Sequence, residues 1–294
     1  MENTGIAYDR LIARFVKWAE KEENIRAAFV IGSRARVDDH PADEWSDLDV
    51  IVLVEDHRVL IDDPGWLHQI GNPRITFVER TPDGEAYELR VLFDGGLDVD
   101  FAPDPIVEFR RMLKEGFTPL YQDLMGRGVR FLVDKDQLTD ELVEVNVARK
   151  PWIPPDEGEF LNLCNDFWYH TVWTAKKLRR GELWWGKSCC DNYLKHLLLR
   201  MLEWQARLSQ PNADTWMRGR FLEEWADARL VAALPALFAH YNSEDVWRAL
   251  FATLNGFRIV AIEAAQKLGY LYPAEADKYA TKLVDELFKG REIK

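Results

Sequence analysis

Two apolar runs decide the fold: Ala27-Ala28-Phe29-Val30-Ile31-Gly32-Ser33 and, after a polar loop, Asp47-Leu48-Asp49-Val50-Ile51-Val52-Leu53-Val54. Each is short and rich in β-prone residues, which predicts two strands. The first ends on Gly32-Ser33. Glycine there lets the backbone approach a phosphate, and the following N–H groups with the Ser33 hydroxyl can donate to its oxygens. The same dipeptide also suits a plain turn. The second run opens with two acids, and strand alternation puts Asp47 and Asp49 on one face. Paired carboxylates repel one another and run against strand propensity, so they call for a cation. Mg²⁺, a hard ion satisfied by oxygen ligands, suits them. The bland alternative is a solvated edge carrying two charges.

Upstream, residues 6–22 carry Leu11, Ile12, Phe15, Val16 and Ala19 at helical spacing. Downstream, residues 74–79 and 85–93 read as strands, Asp94-Gly95-Gly96 as a turn, and residues 97–101 as the returning strand of a hairpin. On that strand Leu97, Val99 and Phe101 form one face, leaving Asp98 and Asp100 on the other. Two strands therefore each present a pair of acids. If the strands are neighbours the carboxylates converge, as in a two-metal site that clamps the attacking and leaving oxygens of an in-line displacement at phosphorus.

Pro151, Pro154 and Pro155 then punctuate the chain and the period changes. Phe160, Leu163, Cys164, Phe167, Thr171, Thr174, Ala175 and Leu178 follow helical spacing. Further helices are expected over residues 191–208, 244–268 and 273–288, with no convincing strand after about residue 156. The expectation is an α+β chain: a mixed-sheet domain with helices over residues 1–150, then an all-α helical-bundle domain over 151–294.

Composition narrows the function classes. With 50 acids against 38 Lys plus Arg the net charge is −12, which argues against a protein that tracks nucleic-acid backbone. A cationic or neutral partner fits better, although the charge would also serve solubility alone. Three cysteines without metal-ligand spacing (Cys164, Cys189, Cys190) read as reduced, buried thiols. Residues 1–23 are charged and amphipathic rather than a signal peptide, and no apolar run reaches the ~18 residues of a membrane helix. A soluble, cytoplasmic protein is expected, with a monomer favoured. Most of the 12 tryptophans should pack in cores, and Trp184-Trp185 reads as a packing corner.

Gly32-Ser33, a spacer, Asp47-x-Asp49 and a later acid flanked by apolar residues resemble the signature of the nucleotidyltransferase superfamily. More narrowly, the chain is similar to the aminoglycoside 6-adenylyltransferases, the streptomycin-modifying enzymes. The likeness is carried by Gly32-Ser33-Arg34, Asp43-Glu44-Trp45-Ser46-Asp47-Leu48-Asp49, Asn165-Asp166-Phe167-Trp168, Leu198-Leu199-Arg200-Met201-Leu202 with Trp204, and Tyr270-Leu271-Tyr272-Pro273. The superfamily signature is short and widely shared. The matches in the helical half are what point to the antibiotic-modifying branch. The resemblance implies Mg²⁺ and ATP held by Asp47, Asp49 and a third acid, which also takes a proton from the acceptor hydroxyl. Asp100 matches that third position best, being flanked by Val99 and Phe101 and followed by Pro105; Asp98 shares its face and is the alternative. Position 166 is Asp where relatives would carry Glu.

On the helix over residues 160–180, Asn162, Asn165, Tyr169, Trp173, Lys176 and Arg180 fall opposite the apolar stripe. Tyr and Trp on a polar face suggest a cleft-lining surface, with Lys176 on triphosphate oxygens and the aromatics against a sugar or adenine ring. The alternative is that another helix covers them. Resemblance supports Lys176. Arg34 and Arg36 follow the Gly-Ser turn, where guanidinium donors meet phosphate, or else balance Asp38, Asp39, Asp43, Glu44, Asp47 and Asp49. Arg34, next to the turn, is the better phosphate candidate. The six histidines show no ligand spacing. The expected reaction is adenylyl transfer from ATP to an aminoglycoside hydroxyl with release of pyrophosphate. The alternatives are another small hydroxylated acceptor and a nucleotide- or drug-binding protein that has lost catalysis.

Overall fold

The two runs around the Gly-Ser turn form antiparallel strands β1 (Ile25–Ile31) and β2 (Leu48–Val54). In this computed structural model, which describes residues 4–36, 40–81, 86–144 and 151–290, they join β3 (Pro73–Arg80), β4 (Tyr87–Phe93), β5 (Leu97–Pro105) and β6 (Arg130–Asp134). The strand order is β3-β4-β5-β2-β1-β6. All neighbours are antiparallel except β2 and β5, which run parallel. The sheet is therefore mixed. The β4–β5 hairpin closes on Phe93↔Leu97, with Gly95 and Gly96 at φ +83° and +75°, a left-handed pair that glycine adopts freely.

Alternation on the central strands feeds two cores. Val30, Leu48, Val50, Val52, Leu89, Val91, Val99 and Phe101 pack with Tyr8, Leu11 and Phe15 of helix α1 (Thr4–Ala19). Phe29, Ile51 and Leu53 face α2 (Ile106–Glu115), α3 (Pro119–Gly126) and α4 (Leu138–Glu144) through Ile106, Phe109, Met112, Met125 and Leu138. With helices on both faces β1 and β2 become continuous apolar runs. The α2–α4 layer and β6 have no counterpart among the elements expected from sequence, although α2 buries Ile106, Phe109 and Met112 at helical spacing; β6 is short and buries only Val133.

Contacts divide the chain into Met1–Pro151 and Trp152–Lys294. The second unit opens with α5 (Glu157–Arg179), whose first turn is closed reciprocally: Glu159 N–H donates to Asp156 at 2.8 Å, and Asp156 N–H to the Glu159 carboxylate at 3.0 Å. It continues through α6 (Leu183–Ser188), a π-helical turn Cys189–Tyr193, α7 (Leu194–Ser209), α8 (Ala228–Leu237), α9 (Ser243–Leu268) and α10 (Ala274–Lys289). Its core centres on Phe167 of α5, stacked on Phe257 of α9 at 3.6 Å between ring centroids, with Trp168 edge-on to both. Among the described residues this unit contains no strand, and the α+β class holds. All three cysteines are buried and unbridged. No described helix is long and apolar enough to cross a membrane.

Trp184 and Trp185 depart from expectation: they are 72% and 53% exposed. The buried point of α6 is Gly186, where a Cβ would sit 2.8 Å from Leu178 Cδ2. The close approach is made through that glycine, which turns the tryptophans outward.

Candidate active site

The parallel β2–β5 pairing sets Asp49 opposite Asp100. Asp47 lies one residue before β2. One carboxylate oxygen from each of the three lies within 4.8 Å of the other two. Asp47 is exposed, Asp49 half-buried and Asp100 buried. Asp98 is exposed and stands outside this group. Its backbone is tied to α1 instead: its N–H donates to the Tyr8 hydroxyl at 3.0 Å, and that hydroxyl reaches its carbonyl at 3.2 Å.

Gly32, Ser33 and Arg34 form a single 3₁₀ turn that follows β1, whose last residue Ile31 pairs with Asp49. Gly32 has φ +69°, and a Cβ there would collide with Asp49 Oδ2. The glycine is thus required twice, by its backbone and by the neighbouring carboxylate. The Ser33 side chain is buried, and its Oγ has no hydrogen-bond partner. A buried hydroxyl left unsatisfied costs about 1–3 kcal/mol.

Arg34 is held by its own loop. Its guanidinium lies 3.6 Å from the centroid of the Tyr8 ring; Nε donates to the Asp47 carbonyl at 2.9 Å and Nη2 to the Ser46 carbonyl at 2.7 Å. Asp43 completes the loop, accepting from Trp45 N–H at 2.9 Å and the Ser46 hydroxyl at 2.8 Å. In this arrangement Arg34 fixes the backbone that carries Asp47. Of the other members of the expected acidic loop, Glu44 is exposed, and Asp38 and Asp39 lie outside the described residues.

Crowding and burial perturb the acids. The Asp49 carboxyl is pushed up to about 8, first by burial, then by Asp47, Asp100 and Glu88, against the pull of Arg90. Asp100 rises to about 7: burial lifts it, Arg90 draws it back, and Asp98, Glu88 and Asp47 push it up again. Like charges this close favour proton uptake unless a cation compensates.

Against this geometry stand the known proteins. Residues 7–287 match the streptomycin adenylyltransferase family. The chain belongs to that family. It is a nucleotidyltransferase. Aminoglycoside 6-adenylyltransferase of Bacillus subtilis (strain 168) is 25% identical over 285 residues, covering 93% of this chain and 95% of that one. The Staphylococcus aureus protein of the same name is 27% identical over 196 residues, 64% of this chain and 65% of its own. A crystal structure of an aminoglycoside 6-adenyltransferase from Bacillus subtilis aligns over 95% of this chain and 97% of that one, at a TM-score of 0.46 and 21% identity.

For a member of this family the donor set fits a divalent cation. Three carboxylates offer oxygen ligands, and the inner oxygen of Asp100, Oδ1, is buried with no partner. Oxygens around Mg²⁺ stand about 3–4 Å apart, so a small side-chain rotation would draw the three together. Lys176 lies on the exposed face of α5 with Asn162, Asn165 and Tyr169, while Trp173 is half-buried against Trp185 at 5.7 Å. Asp166 accepts from the Tyr193 hydroxyl at 3.0 Å and pairs with His170 at 2.6 Å.

Arg90 went unread in the sequence. It faces Asp100 across the β4–β5 ladder, with Nη1 2.8 Å from Asp100 Oδ2. Nη2 reaches Glu88 at 3.3 Å, and Nε stands 2.6 Å from Glu79 as an ion pair without hydrogen-bond alignment. The available signal was alternation: Leu89, Val91 and Phe93 of β4 are buried, which puts Arg90 on the face that carries the acids.

Proposed function

We propose that this chain transfers the adenylyl group of ATP to a hydroxyl of a streptomycin-like aminoglycoside, in a Mg²⁺-dependent reaction that releases pyrophosphate. The observation that carries the reading is the meeting of Asp47, Asp49 and Asp100, with Gly32 of the Gly-Ser turn against Asp49, in a chain of the streptomycin adenylyltransferase family.

In this reading Asp47, Asp49 and Asp100 hold the metal. When bound there, Mg²⁺ neutralises phosphate charge and polarises the phosphorus that is attacked. Gly32 and Ser33 donate to phosphate oxygens, and Arg34 fixes the Asp47 backbone and adds positive charge to the phosphate side. Lys176 of the helical unit binds the triphosphate, an assignment supported by the resemblance, and residues 151–294 have a substrate-binding role. The acceptor oxygen forms a bond to the α-phosphorus as the bond from that phosphorus to the bridging oxygen breaks. Pyrophosphate leaves, and the hydroxyl proton passes to Asp100.

The acidic balance of the chain favours a cationic acceptor over a nucleic acid. The test is a panel of aminoglycosides with ATP and Mg²⁺, following pyrophosphate release and product mass. Release that depends on streptomycin, with one adenylyl group gained, is expected. Release with no aminoglycoside in the panel modified would move the acceptor to another hydroxylated compound.

A further inference from the structure

The proposed site has a cation of its own, and nothing in the reaction scheme above uses it. Arg90 sits on β4, opposite Asp100, with its three nitrogens close to three acids: Nη1 2.8 Å from Asp100 Oδ2, Nη2 3.3 Å from Glu88, and Nε 2.6 Å from Glu79 without hydrogen-bond alignment. The strand register builds this arrangement. Glu79 pairs with Glu88 across β3–β4, and Arg90 with Asp100 across β4–β5. Three anchors from three strands leave the guanidinium little freedom, and its planar fork is suited to such multiple pairing.

The consequence lies in the two oxygens of Asp100. Oδ2 is engaged by Arg90, whereas Oδ1 is buried and has no partner among the described residues. We propose that Arg90 is a positioning residue that reserves one oxygen of Asp100, so that the carboxylate offers a metal only Oδ1. Without it, Asp100 would be free to chelate the cation through both oxygens. Arg90 also places a positive charge one carboxylate away from a dication, which opposes metal binding. It therefore weakens the metal site while improving the chemistry, a combination that a merely structural ion pair would not produce.

This inference rests on the three acids being the metal site, and its test separates the two. Mn²⁺ binding to the metal-free protein is titrated by the paramagnetic resonance signal of the free ion. In parallel, kcat and KM for ATP are measured from streptomycin-dependent pyrophosphate release. Arg90→Met should bind Mn²⁺ about three- to tenfold more tightly, through removal of the opposing charge. Its kcat should fall by about 10–100-fold, as for outer partners of metal ligands, with KM for ATP within a few-fold of wild type. Arg90→Lys keeps the charge and loses the fork, so its Mn²⁺ affinity should match wild type and its kcat should be intermediate. Weaker Mn²⁺ binding in Arg90→Met, or an unchanged kcat, would overturn the proposal. If Asp49→Asn binds Mn²⁺ as wild type does, the acids are not the metal site, and the inference falls together with that reading.

Discussion

Replacing Asp49 by asparagine should stabilise the metal-free protein at alkaline pH, although the same change should abolish activity. Asp49 titrates near 8 in the fold, against 3.8 for the free group. The folded state keeps this proton after the unfolded chain has released its own. Between about pH 4 and 8 the unfolded state therefore binds fewer protons, and stability falls as pH rises through that window. At about 1.4 kcal/mol per decade the gap caps the loss at roughly 5–6 kcal/mol. The repulsion is shared with Asp47 and Asp100, and the carboxylates can rotate apart, so removing one charge should recover about 2 kcal/mol. For a chain of this size that corresponds to roughly 3 °C in melting temperature. The assay is calorimetry of wild type and Asp49→Asn in EDTA at about pH 4.5 and pH 8.5. The variant should melt higher at pH 8.5 and near wild type at pH 4.5. Millimolar Mg²⁺ should raise the wild-type transition and leave the variant unmoved. A variant that melts lower than wild type at pH 8.5 would refute the view that these carboxylates are held together against their own repulsion.

Three other outcomes follow from particular contacts. Ser33→Ala removes a buried hydroxyl with no partner, so its stability should equal or exceed that of wild type while KM for ATP rises; thermal melts and initial rates measure the two effects separately. Gly32→Ala forces a side chain into a left-handed conformation and against Asp49, and should cost about 1–3 kcal/mol with at least a tenfold loss of kcat, read by melting and by steady-state kinetics. Phe167→Ala empties the centre of the helical unit, where the ring stacks on Phe257. It should cost about 3–5 kcal/mol, visible as a lower denaturant midpoint.

The acids were legible because strand alternation is a strict rule. Asp49 and Asp100 had to share faces with their own strand partners, and the expected hairpin fixed one of the two strands. The parallel pairing of β2 with β5, which sets Asp49 opposite Asp100, was not legible, because it depends on long-range packing of α1 and the α2–α4 layer around the sheet. The same gap hid Arg90, which on β4 alone is one more polar residue at an alternate position. Gly32 was read as an approach for phosphate, and the collision awaiting a Cβ at Asp49 adds a second reason that only three dimensions supply. Arg34 shows the reverse. Adjacency to the turn suggested a phosphate ligand, whereas its bonds to Ser46 and Asp47 were invisible until the loop closed. Hydrophobicity alone puts Trp184 and Trp185 in a packing corner, whereas the close contact there is made by Gly186.

The central claim is that Asp47, Asp49 and Asp100 form the centre for adenylyl transfer. Its most direct test is mass spectrometry of streptomycin incubated with ATP, Mg²⁺ and either wild type or Asp100→Asn, with circular dichroism confirming that both are folded. Wild type should add one adenylyl group, and the variant should add none on the same timescale. Adenylylation by Asp100→Asn at the wild-type rate would contradict the account.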